Sequence, residues 1–347
     1  MCDLVPITSV HAGSKIIGSR WVYKIKVDDT HKARLVVLGW GMVAGVHCGS
    51  TFAPVSRLQS IRTVLALAAE KNLEVLQYYV LTAFLNSPVD ETIFVKTAPG
   101  RGETDEDGVQ QVMKLRKNLY GIPQAPVNWH GTIDDFVTTI GFTLLKSDPC
   151  IYIYTHKDEI HNPVTKKGPT LASWNKDTVI ITIYVDDLLL VGQKKVLLKQ
   201  LEEKLVRRFD TKCMGDVSLV LGMQVTRDRK KGTLTISQVH YTKSVLETNG
   251  MGECKPVYTV GVGPELSINQ GEGNPLTKAD AQRYQSNVDS VMYLAQVSRY
   301  DILYSVNQLV RAMLNPSKAP TGQLSIYSGT SPAASISTSS TKREASS

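Results

Sequence analysis

At 347 residues, with 42% hydrophobic and 20% charged content, the chain has the composition of an ordinary globular protein, long enough for two or three subdomains. Its formal net charge of +7 and pI near 9.0 suit a polyanionic partner but carry no information about fold. Five scattered cysteines (Cys2, Cys48, Cys150, Cys213, Cys254) form no CxxC pair, and no stretch reads as a secretory signal or membrane span; neither a disulfide framework nor a zinc site is indicated, and an intracellular location, in cytoplasm or nucleus and away from membranes, is expected.

In chain order, residues 16–41 read as two strands joined at Asp28-Asp29-Thr30. The alternation in Trp21-Val22-Tyr23-Lys24-Ile25-Lys26 puts basic residues along one face. An ordinary solvated strand face and a positively charged flap over phosphates both fit this pattern, with Lys32 and Arg34 on the second strand. Helical spacing of Ile61, Leu65 and Ala68 predicts a helix over 58–71, followed by a strand, turn and helix start over 73–85. A strand over 91–96 and an acidic loop over 100–108 come next. An amphipathic helix then runs through Trp129, Ile133, Phe136 and Ile140, closed by Gly141. Beyond a strand at 148–154, residues 156–177 form a long polar loop. After 179–192 the pattern gives a helix over 195–209, a hairpin from 219–225 and 232–237, and a helix over 239–249. A Gly- and Pro-rich linker over 260–276, a helical segment over 278–314 and a Ser/Thr/Ala/Gly tail read as disordered complete the chain.

The stretch 179–192, VIITIYVDDLLLVG, holds Asp186 and Asp187 between two apolar runs, the pattern of two buried strands joined by a tight turn. A solvated turn is the commonplace outcome for an Asp-Asp pair. The long apolar flanks and the preceding Tyr-Val favour a divalent-metal site, with the oxygen ligands that suit Mg²⁺.

Tyr184-Val185-Asp186-Asp187 at a hairpin tip resembles the catalytic motif of reverse transcriptases. In order, the blocks Trp21-Val22-Tyr23-Lys24, Lys32-Ala33-Arg34-Leu35-Val36, Thr51-Phe52-Ala53-Pro54-Val55, Thr82-Ala83-Phe84-Leu85 and Leu119-Tyr120-Gly121 precede it. Gln124-Ala125-Pro126 and Asp148-Pro149-Cys150 also precede it, and Leu221-Gly222 and Met292-Tyr293-Leu294-Ala295 follow. Together they make residues 16–320 resemble the reverse transcriptase of copia-type (Ty1-like) LTR retrotransposons. The resemblance implies an α+β right-hand polymerase fold with fingers, a palm bearing an antiparallel sheet, and a thumb. Residues 1–15 fall outside it, 16–258 form the reverse transcriptase, 259–277 a linker, 278–320 a truncated connection towards an RNase H domain, and 321–347 a disordered tail. It implies RNA-directed DNA polymerisation by two-metal nucleotidyl transfer, with an RNA/DNA primer–template and dNTP as partners and two Mg²⁺ or Mn²⁺ ions as cofactors. Asp186 and Asp187 carry over as the catalytic, metal-binding carboxylates of the hairpin. Phe84 carries over as the aromatic that excludes a ribose 2′-hydroxyl, and Gln124 as a residue lining the incoming nucleotide. Lys32 and Arg34 fall where they can clamp its triphosphate.

The chain departs from the family on the neighbouring strand. Where the family reads Gln-Met-Asp-Val, this chain reads Gln77-Tyr78-Tyr79-Val80, so the metal-bridging aspartate has become Tyr79. A phenol with an unperturbed pKa of roughly 10 stays neutral and does not replace a bridging carboxylate. Asp90 and Glu91 lie too far along the chain to substitute without rebuilding the strand, and Asp210 and Asp216 lie beyond the hairpin with no reason to reach it. Pro123, Val127, Cys213, Asp289 and Tyr300 also replace family residues. Back-translated, Gln323 to Ala333 accommodates, one base earlier, the family-like helix Ala-Ala-Lys-His-Leu-Leu-Arg-Tyr-Leu-Ala-Gly, which points to a frameshift at about Pro320 to Gly322. The expectation is a degenerate, catalytically dead copy. A non-catalytic nucleic-acid-binding remnant and an unexpressed pseudogene product are the alternatives.

Overall fold

The computed structural model describes residues 1–25, 29–42, 49–98, 100, 103–155, 174–253, 276–316 and 335–339. The chain falls into two compact units, Met1–Val64 with Leu73–Asp216 and Leu65–Asn72 with Val217–Ser347.

The first unit is built on a six-stranded antiparallel sheet. Its spatial order is Thr211–Asp216 (β12), Glu74–Val80 (β5), Asp187–Gly192 (β11), Val179–Tyr184 (β10), Ile151–Tyr154 (β9) and Phe142–Leu144 (β8). The continuous apolar runs of β10 and β11 are explained by burial along nearly their whole length, since neither face needs polar residues. Helices Ala125–Thr139 (α2) and Lys195–Arg208 (α3) bring Trp129, Ile133, Val137, Leu198, Leu201 and Leu205 into one core with Tyr78, Ile181, Ile183 and Leu188. Each such fully buried side chain contributes about 1.5–3 kcal/mol. Gly141, at φ +105, ends α2 as the sequence predicts.

A second sheet in this unit runs Cys2–Pro6 (β1), Gln111–Leu115 (β7), Phe94–Lys96 (β6) and Ile16–Ile17 (β2). The sequence set residues 1–15 apart, yet β1 pairs with β7 from Cys2↔Leu115 to Pro6↔Gln111 and belongs to this unit. Neither short strand shows a period of its own; each is defined by the other. Strands Ser19–Ile25 (β3) and His31–Val37 (β4) form the expected hairpin, in register from Ser19↔Val37 to Ile25↔His31.

In the second unit, Leu219–Val220 (β13), Met223–Asp228 (β14), Thr233–Ser237 (β15) and Ser335–Ser339 (β16) form an antiparallel sheet. Five residues of the tail expected to be disordered thus add a strand to β15. The rest of 321–347, like residues 259–275 of the linker and 156–173 of the polar loop, lies outside the described residues. Helices Val239–Thr248 (α4), Lys278–Val297 (α5) and Leu303–Arg311 (α6) pack around Val245, Tyr284, Val288, Val291, Val306 and Leu309. The helical segment expected over 278–314 is therefore two helices. The N–H groups of Ser298 and Arg299 both donate to the Leu294 carbonyl, and Arg299 folds back onto the Asp301 carboxylate at 2.7 Å.

Candidate active site

The tip of the β10–β11 hairpin is a two-residue turn. Tyr184 pairs with Asp187, leaving Val185 and Asp186 as its central residues. Val185 sits at φ +55, a left-handed conformation that costs a β-branched residue on the order of 1–3 kcal/mol and persists only where the surroundings over-determine it. They do so here: the Trp129 indole Nε1 donates to the Val185 carbonyl at 2.8 Å, and the Val80 N–H donates to the Asp186 carbonyl at 2.8 Å. Trp129 is held by the α2 core and Val80 by β5, so the tip is tied to two neighbouring elements.

Register then brings β5 to the site. Tyr79 stands directly across from Asp187, and its hydroxyl donates to Asp186 Oδ2 at 3.0 Å. Burial pushes both carboxyls above the usual carboxylate range. For Asp186 the Tyr79 hydroxyl and the charges of Arg34 and Lys32 pull the other way. For Asp187 the neighbouring Asp186 adds to burial, and the Gln77 amide opposes it. The Tyr79 phenol is itself pushed up to about 12, by burial first and then by Asp186. It is a neutral donor at physiological pH.

Arg34 reaches the site from β4, its guanidinium 5.0 Å over the Tyr120 ring. Tyr120 in turn packs against Phe84 at 4.9 Å between ring centroids, and Phe84 lies on the short turn Ala83–Asn86 that follows β5. Sequence reasoning assigned Tyr120 no role, although Gly121 offered a signal. At φ +93, a Cβ on Gly121 would meet the Val37 carbonyl at 2.0 Å, so only glycine lets this loop approach the end of β4. The Val37 N–H accordingly donates to the Tyr120 carbonyl at 2.8 Å.

The structure therefore gathers Asp186, Asp187, Tyr79, Phe84, Arg34 and Lys32 around one tip and adds Gln77, Tyr120 and Trp129. Gln124 differs from expectation. Its side chain is fully buried at the start of α2, with neither amide atom hydrogen-bonded among the described residues. The Asp148-Pro149-Cys150 block serves structure: buried Asp148 accepts from the N–H groups of Arg57 and Cys150, each at 3.0 Å. Ser56 beside it donates to the Ile183 carbonyl at 2.8 Å, bracing the end of β10. The backbone of Asp210 does come alongside β5, its carbonyl accepting from the Leu81 N–H at 2.8 Å.

The family model for reverse transcriptase (RNA-dependent DNA polymerase) matches residues 4–262. The chain belongs to this family. It is 34% identical over 314 residues to the retrovirus-related Pol polyprotein from transposon TNT 1-94 of Nicotiana tabacum, covering 88% of this chain and 22% of that protein. It is 32% identical over 321 residues to the Pol polyprotein from transposon RE1 of Arabidopsis thaliana, covering 91% and 20%. Against the transposon Ty1-JR2 Gag-Pol polyprotein of Saccharomyces cerevisiae the identity is 24% over 326 residues, covering 88% and 16%. These are copia-type Pol polyproteins, the branch to which the sequence blocks pointed, and the chain spans about a fifth of their length. The matched range also takes in most of residues 1–15.

Reverse transcriptases generally use divalent metal ions, and the residues at this tip do not fit such a pair. Among the described residues no group of three or more His, Cys, Asp or Glu could hold a metal ion. The side chain across from Asp187 is a neutral phenol, and its proton occupies an oxygen of Asp186 that a metal would need. Neither Asp90, Glu91, Asp216 nor Asp210 completes the set.

Proposed function

We propose that this chain is the polymerase module of a copia-type Pol polyprotein. In this reading it keeps its nucleic-acid cleft, with fingers from β3–β4, a palm on the six-stranded sheet and a thumb beyond β12, and has lost nucleotidyl transfer. The observation that carries the loss is the Tyr79 hydroxyl donating to Asp186 across from Asp187. The family's phosphoryl transfer needs two divalent ions bridged by carboxylates from both strands, and removing one bridging ligand costs several powers of ten in rate. What stays is a basic hairpin above two carboxylates, with Lys32 and Arg34 close enough to act electrostatically on Asp186. These cations supply affinity for a phosphate backbone without supplying chemistry.

The test is binding of an RNA–DNA duplex followed by fluorescence anisotropy across a salt series, with Mn²⁺ binding followed by electron paramagnetic resonance. The reading expects duplex binding that weakens steeply with salt and no tightly held pair of Mn²⁺ ions. Two tightly bound ions would overturn the loss of chemistry; a duplex left unbound at low salt would overturn the retained cleft.

A further inference from the structure

Beside the β10–β11 turn the first unit holds a pocket of about 260 Å³, bounded by the segment 51–55, helix α2 and the end of β10. Its floor is made by the buried side chains of Trp129, Ile133 and Ile183, and Val185 of the turn completes the wall. At the mouth stands Phe52, an aromatic ring left 80% exposed. Neither Asp186 nor Asp187 lines the pocket, and none of its residues carries a fixed charge. The one imidazole among them is that of His130, whose Nε2 lies 3.3 Å from the Pro149 carbonyl. A carbonyl only accepts, so the hydrogen sits on Nε2 and Nδ1 is left as an acceptor.

We propose that this pocket binds a small neutral aromatic ligand, one ring or two fused rings carrying a single N–H or O–H donor, and that the occupant braces the hairpin tip. Size and walls select the ligand. An apolar cavity of about 150 Å³ takes up benzene, and drug-sized sites begin at about 300 Å³, so one ring or a fused pair fills this one. A charged ligand would lose its hydration against walls that offer no counter-ion. The donor meets Nδ1 of His130, and the rings cover Trp129 and Ile133 while giving exposed Phe52 a surface to pack on. Bracing follows from what the walls already do. The Trp129 indole donates to the Val185 carbonyl, and Val185 holds its left-handed conformation next to Asp186. A ligand seated against both favours the state in which they are so arranged, without touching a carboxylate. The site involves no nucleotidyl transfer, so it goes beyond the function proposed above and stands or falls apart from it.

The experiment titrates the full chain with indole and follows the tryptophan indole N–H resonances by NMR, with Trp129 assigned through Trp129→Phe. Benzofuran, the same ring shape without the donor, is the paired probe. Two variants at half-buried positions report on the site: Ala53→Phe fills the pocket, and His130→Ala removes the acceptor. The expected result is a saturable shift of the Trp129 resonance with indole, and benzofuran binding weaker by about threefold to tenfold. Ala53→Phe should lose both probes, His130→Ala should bind the two equally, and indole should raise the melting temperature of the parent chain but not of Ala53→Phe. No saturable shift of Trp129, or indole binding unchanged by Ala53→Phe, overturns the site. Equal binding of indole and benzofuran by the parent chain overturns the ligand class. If circular dichroism shows Ala53→Phe to be unfolded, His130→Ala decides: an unchanged preference for indole overturns the proposal. Self-association that Ala53→Phe abolishes, with no indole binding, assigns the pocket to a second copy and overturns it too.

Discussion

The β10–β11 and β3–β4 hairpins pair their strands in the same antiparallel way and both contribute to one site, yet their surroundings are opposite. Strands β10 and β11 sit inside a six-stranded sheet, buried on both faces, and put two carboxylates at their tip. Strands β3 and β4 stand as a two-stranded ribbon with one face towards the site and the other in solvent. The first therefore fixes positions, and the second presents charge and rings. On the function proposed above, this contrast explains how the site would lose its chemistry without losing its shape. The hairpin tip is held by Trp129, Val80 and a fully apolar core, none of which depends on the side chain at position 79. A different residue at position 79 of β5 would then change what the site can do and leave its parts where they lie.

The contrast is broken most strongly at Trp129. Trp129→Ala should lose about 3–5 kcal/mol of stability in urea unfolding, from a cavity in the core beneath the tip. Trp129→Phe keeps much of the packing but leaves the Val185 carbonyl without its donor, a loss of about 1–3 kcal/mol. Tyr23→Ala on the other hairpin should stay within about 0.5 kcal/mol of the parent chain. Equal losses at the two positions would erase the distinction between a fixed and a presenting hairpin.

A smaller effect is expected between the hairpin and β5. Tyr79→Phe removes the hydroxyl that donates to Asp186 and should cost about 1 kcal/mol. It should also raise the Asp186 pKa further, since that hydrogen bond holds it down, and a carbon-13 titration of the carboxyls reads the change. A downward move would mean that the hydroxyl does not stabilise the carboxylate.

The sequence made the hairpins legible because their periods are unambiguous: continuous apolar runs for β10 and β11, alternation for β3. The carboxylates, Phe84 and the two basic residues were picked out through motif order; register sets Tyr79 across from Asp187, and Lys32 and Arg34 act on Asp186 from β4. Tyr120, Gln77 and Trp129 were not assigned to the site, because their roles come from partners distant in sequence: Arg34, Asp187 and the Val185 carbonyl. The burial of Gln124 was not legible for a related reason, since motif position does not reveal which way a helix start packs. Strands β1 and β7 escaped notice because each is short and is specified by the other.

The pH dependence gives the smallest effect. Burial holds the folded-state pKa values of Asp186 and Asp187 above the ordinary value of 3.8. Between the unfolded and folded values the folded chain binds more protons than the unfolded one, so their contribution to stability falls as pH rises through that window. The double variant Asp186→Asn, Asp187→Asn lacks this term. Its urea midpoint, compared with that of the parent chain, should rise progressively as pH increases from about 3.8. A parent chain that gains on the variant over the same range would reverse the assigned sign.

The proposed loss of chemistry turns first on the metal-bridging carboxylate replaced by Tyr79, and primer extension on an RNA template with Mg²⁺ or Mn²⁺ tests it directly. The parent chain should leave the primer unextended, and Tyr79→Asp should extend it, with divalent metal raising the melting temperature of the variant only. Extension by the parent chain, or by neither protein while both bind the duplex, would contradict the claim.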